Sequence, residues 1–109
     1  MKAVREALLD EFACYYHADL LPSGLPDSID TWADDSGRRL VHILGEGARE
    51  AVAMLHAVAR RQDEQLLIDL DNETHYGWSG SHENWQLFLR IVEHVAASVE
   101  RGLAGQDET

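Results

Sequence analysis

Cysteine is nearly missing from this chain and proline is scarce: Cys14, Pro22 and Pro26 are the only examples in 109 residues. One thiol closes no internal bridge, which excludes a disulfide-stapled scaffold and makes a reducing, cytoplasmic setting the expectation. No stretch approaches the roughly 20 apolar residues that a membrane helix needs. Met1-Lys2-Ala3-Val4-Arg5-Glu6 runs into Asp10 and Glu11 where a secretory leader would be uniformly apolar, so no signal peptide is expected. Cations are also few. Nine Lys and Arg face twenty Asp and Glu, for a formal net charge of −11. A field of that sign repels phosphate backbones, because capturing them depends on Lys and Arg displacing counterions. Nucleic acid and anionic lipid are therefore poor partners. A basic protein would instead be steered in, although the same charge also serves solubility alone.

Apolar residues make up 45% of the sequence, enough for one compact domain and too many for general disorder. Their spacing is helical. Val4, Leu8, Phe12, Tyr15 and Tyr16 recur at threes and fours, predicting a helix over 3–17 that stops before Leu21-Pro22-Ser23-Gly24-Leu25-Pro26. Pro26 suits the first turn of a short helix carrying Ile29, Trp32 and Ala33. Asp34-Asp35-Ser36-Gly37 reads as a turn with capping residues, followed by a third helix from Arg38 to Leu44. Gly45-Glu46-Gly47 interrupts or bends it. The clearest stripe is Ala48, Ala51, Val52, Leu55, Val58 and Ala59, predicting a helix over 48–62.

Residues 64–71 fit a helix capped by Asp63 that buries Leu66, Leu67 and Leu70, or a strand in which Leu66, Ile68 and Leu70 alternate. Helix is preferred, since no other run offers a partner strand. After a loop over 73–81, Ser81 can cap a last helix over 82–101 that buries Trp85, Phe88, Val92, Val95, Ala96 and Val99. Gly102 would end it. The expectation is an all-α, single-domain bundle of four to five helices over 1–104, with a frayed acidic tail over 105–109.

Catalytic chemistry finds little support. None of the six histidines pairs with another at i,i+4, and a lone cysteine builds no Cys-based zinc site. The nearest ligand set is His17 and Asp19, joined by His75 or His82. Cys14 sits among Phe12, Ala13, Tyr15 and Tyr16, where a buried, inert thiol is expected. Ser79 lacks the strand–turn–helix setting of a nucleophile elbow. Gly45-Glu46-Gly47 is too short for a phosphate loop and carries an acid where a phosphate would sit. No catalytic residue, resident metal, cofactor or small-molecule substrate is assigned.

Binding is better represented. Tyr76 and Trp78 sit in a glycine-containing loop flanked by Asp69, Asp71, Glu73 and Glu83. That combination suits an interface with aromatic anchors and guiding charge, or a loop whose aromatics fold back to plug the bundle. Asp30, Asp34 and Asp35 around Trp32 form a second acidic patch, or Asp34 and Asp35 simply cap helices.

In layout, the stretch Phe12-x-x-Tyr15-Tyr16-His17-x-Asp19, the proline turn, the short helix Pro26 to Trp32 and the terminal Glu83-Asn84-Trp85 together resemble immunity proteins of bacterial contact-dependent growth-inhibition systems. The chain departs from that pattern at Leu20, where an aromatic is more usual, and in its longer Gly-rich loop 77–80. The resemblance implies a cytoplasmic protein that binds the C-terminal toxin domain of a secreted effector, commonly a nuclease such as a tRNase, and masks its basic active-site cleft. On the sequence, Asp69, Asp71, Glu73, Tyr76, Trp78, Glu83, Asp34 and Asp35 are the candidate contacts with that toxin. A His/Asp metal-binding protein or metal-dependent enzyme is the alternative from another class, and a generic adaptor a third.

Overall fold

Helix α1, Val4–Tyr15, turns Ala7, Leu8, Glu11 and Phe12 inward, the i, i+1, i+4, i+5 set that one face of a helix presents. These residues belong to a computed structural model whose described residues are 3–16, 29–75 and 77–107, with backbone alone described at 29, 30, 106 and 107. Within them the order is α1, α2 (Ile29–Leu44), a 3₁₀ turn at Gly45–Gly47, α3 (Ala48–Ala59), α4 (Glu64–Thr74), a 3₁₀ turn at Trp78–Gly80 and α5 (His82–Asp107). No strand occurs among the described residues, and the chain is a compact all-α domain. No helix among them is long and apolar enough to cross a membrane.

α5 is the spine, with α2 and α3 packed along it and α1 set against α4 and α2. One core runs through the molecule: Leu8 and Phe12 from α1, Leu40 from α2, Leu55 and Val58 from α3, Leu66 and Leu70 from α4, and Phe88, Val92, Val95 and Val99 from α5 are all buried. Burying a large aliphatic or aromatic side chain is worth about 1.5–3 kcal/mol, so this shared interior is the main source of stability. The ambiguous 64–71 segment is a helix. Asp63 caps it by accepting the Leu66 N–H at 3.1 Å, and Leu66, Leu67 and Leu70 face the core. Ser81 likewise accepts the Asn84 N–H at 3.1 Å and starts α5.

Five sequence expectations change. The turn at Asp34-Asp35-Ser36-Gly37 does not form, and α2 runs through it unbroken. These residues cost a helix only about 0.5–1 kcal/mol each, and tertiary partners offset that. The Ser98 hydroxyl donates to the Asp34 carbonyl at 3.2 Å, and Asp34 pairs with Arg101 at 2.6 Å. Gly37 is where α2 meets α5 most closely: a Cβ there would collide with the Ser98 side chain and lie 2.9 Å from its carbonyl carbon. The glycine that looked like a turn residue is a contact residue.

The same holds for Gly102. It does not end α5 but lies inside it, where a Cβ would sit 2.9 Å from Val41 Cγ2. The tail expected from residue 105 is helical as far as Asp107. Cys14, expected to be buried, is exposed, because the inward face of α1 passes through Glu11, Phe12 and Tyr16. The helix over 48–62 ends earlier, at Ala59. Arg61 adopts a left-handed conformation, φ 60°, and its N–H bonds the Val58 carbonyl at 3.0 Å.

Candidate functional site

Asp71 faces inward at the end of α4 and is only 7% exposed. Its carboxylate accepts the Trp78 N–H at 2.8 Å and the Ser79 hydroxyl at 3.0 Å, tying the following loop back onto the helix. Trp78 is fully buried and stacks on Phe88, with ring centroids 5.4 Å apart. Of the two roles open to this loop's aromatics, Trp78 takes the core one. Asp71 and Trp78 are therefore corrected from partner contacts to structural residues. Tyr76 lies outside the described residues.

The remaining carboxylates of the first patch stay near water. Asp69 is half-buried, paired with Arg5 and accepting from Gln65 Nε2 at 3.0 Å, whereas Glu73 and Glu83 are exposed. The second patch divides. Asp34 turns to Arg101, while Asp35 pairs with Arg38 and, with Trp32, lines a cleft at α1–α2. Neither acid caps a helix, since both lie inside α2.

That cleft, of about 310 Å³, has Tyr15, Trp32, Asp35 and Arg39 as its described lining. Its floor is a buried polar network. Glu11, 4% exposed, accepts from Arg39 Nη2 at 2.7 Å and Nε at 3.0 Å, and from the Ser36 hydroxyl at 2.8 Å. Ser36 in turn shares a 3.0 Å hydrogen bond with the Tyr16 hydroxyl. A buried carboxylate without such partners would cost several kcal/mol, and a forked guanidinium is the residue best shaped to satisfy it. The Arg39 guanidinium also lies over the Tyr15 ring, 3.5 Å from its centroid.

Burial pushes the Tyr16 hydroxyl well above the ordinary phenol range, and the nearby Glu11 and Asp35 charges add to it, against the lowering effect of the Ser36 bond. Burial works to lower Arg39, but hydrogen bonding and charge from Glu11 outweigh it, so the guanidinium is raised and firmly cationic. From the cleft an aromatic series leads inward: Trp32 meets Tyr16 edge-on at 5.9 Å, Tyr16 lies 4.8 Å from Phe12, and Phe12 meets Phe88 at 5.6 Å.

Sequence reasoning found Trp32 and Asp35 but missed Tyr15, Glu11 and Arg39 as a unit. One signal was present. Glu11 falls three residues after Leu8 and next to Phe12, a charge on the apolar stripe of α1, and such a residue needs a buried partner. Nothing local says that the partner comes from α2.

The metal alternative gains no geometry. Among the described residues no group of three or more His, Cys, Asp or Glu is placed to hold an ion. Of its proposed ligands, His17 and Asp19 lie outside the described residues. Comparison of the chain with protein-family models, curated proteins and solved structures finds no match.

Proposed function

We propose that this chain is an immunity protein that binds a basic toxin domain, a nuclease such as a tRNase, and shields its phosphate-binding cleft in the cytoplasm. The observation that carries the reading is how charge is spent. Arg5, Arg38, Arg39, Arg61 and Arg101 are each engaged by an acid of the same chain. Exposed Glu6, Glu46, Glu50, Glu73, Glu83 and Glu93 have no ion-pair partner among the described residues. Among the described residues, six exposed carboxylates thus stand without an ion-pair partner against two exposed arginines, Arg60 and Arg90, in the same condition.

Such a surface stands in for a polynucleotide. It approaches a cationic cleft under electrostatic steering and places carboxylates where phosphates would bind, through charge-assisted hydrogen bonds to Arg and Lys. The sequence resemblance to contact-dependent growth-inhibition immunity proteins supports the same role.

The test is binding of the purified chain to the toxin domain encoded immediately upstream, with association followed against salt. Reversing Asp69, Glu73 and Glu83 to lysine should slow association about tenfold at low salt and flatten its salt dependence. Unchanged association would take those three residues out of the interface. Absence of binding by the unaltered chain would end the proposal.

A further inference from the structure

The cleft at α1–α2 contains one arrangement that is complete and a second that, among the described residues, is not. Tyr15 and Glu11 supply an aromatic face and a carboxylate, and Arg39 fills them, stacked on the ring and forked onto the acid. Trp32 and Asp35 supply the same two elements one turn apart on α2, lining the same cleft. Among the described residues no cation lies over the Trp32 ring, which is half-buried and meets Tyr16 edge-on.

Asp35 does have a partner in Arg38, but a weak one. The pair is an i,i+3 contact between side chains 41% and 73% exposed. Surface pairs of this kind contribute little and exchange readily.

We propose that Trp32 and Asp35 receive an arginine side chain of the protein partner, its guanidinium stacked on the indole and forked onto the carboxylate. The inference rests on the proposed immunity role and names the surface by which the partner is gripped.

Charge decides between a cation and an anion here. Arg39 has its Nε and Nη2 committed to Glu11 and one face covered by Tyr15, so it has little left to offer an anion. A chain carrying −11 repels an anion at long range and draws in a cation. Arginine suits the site better than lysine because a planar, weakly hydrated fork can stack and pair at once.

The probe is Nα-acetyl-arginine amide, titrated into the isotopically labelled full-length chain while the indole N–H signals are followed by NMR. Nα-acetyl-citrulline amide, of the same shape without the charge, is the control. A saturable shift of the Trp32 signal with arginine, absent with citrulline, is expected. Asp35→Asn should weaken it about fivefold, and Glu64→Gln, on α4, should leave it unchanged. Equal shifts with citrulline, or no shift at Trp32, would overturn the inference.

Trp32→Leu and Asp35→Asn are also measured against the toxin domain, with helicity checked by circular dichroism. Each should weaken toxin binding at least fivefold. If the toxin binds both variants at full strength, the cleft assignment fails and the immunity role stands. If the unaltered chain binds no toxin, the role itself fails.

Discussion

Replacing Trp78 by alanine removes a fully buried indole that stacks on Phe88 at the end of the bundle. A tryptophan buries about 150–250 Å², which at about 25 cal/mol per Å² is roughly 4–6 kcal/mol of transfer free energy. Measured Trp→Ala costs in cores run about 3–5 kcal/mol. The stacked pair adds up to about 1 kcal/mol. A loss of about 4 kcal/mol is expected, a large part of the roughly 5–15 kcal/mol that holds a domain of this size together. Urea unfolding followed by far-ultraviolet circular dichroism should show the midpoint falling sharply with little change in slope. Trp78→Phe keeps a ring over Phe88 and should cost only about 1–2 kcal/mol. That variant should still associate with the toxin domain within about threefold of the unaltered chain, because Trp78 presents no surface to a partner. If Trp78→Ala costs less than about 1 kcal/mol yet abolishes binding, the assignment of Trp78 to the core is wrong.

Gly37→Ala should destabilise by about 1–3 kcal/mol, seen as a lower Tm, because the new methyl meets Ser98 where α2 and α5 touch; an unchanged Tm would mean the helices are free to part. Glu11→Ala should cost about 2 kcal/mol in urea unfolding. The cost stays below that of a fully buried pair because Arg39 is 31% exposed and can turn to water. The raised Tyr16 hydroxyl makes stability fall with alkali. Above the ordinary phenol value near pH 10 the unfolded chain releases a proton that the folded chain keeps, costing about 1.4 kcal/mol per pH unit. Stability from this source is complete below pH 10 and is lost as pH rises. Tyr16→Phe should abolish that slope while losing about 1 kcal/mol at neutral pH with the Ser36 bond.

Helix was legible wherever one periodic apolar face decided the matter. The stripes over 48–59 and 82–99, the Asp63 and Ser81 caps and the break at Gly45–Gly47 depend on neighbours within a turn or two, so one sequence window contains their whole cause. The net charge was equally fixed by composition, and with it the class of partner worth considering.

What the chain alone could not decide were the residues whose role is set across the fold. Gly37 and Gly102 have a glycine's usual local meaning, a turn or a helix end, until α5 and Val41 come close enough to leave no room for a Cβ. Asp71 and Trp78 look like surface and anchor until the loop folds back and the carboxylate takes up its N–H donor. Glu11 and Arg39 stand 28 positions apart, and only the packing of α1 on α2 makes them one site. Local periodicity says which side of a helix is apolar; which helix covers that side, and which polar groups go under with it, is a property of the packed bundle.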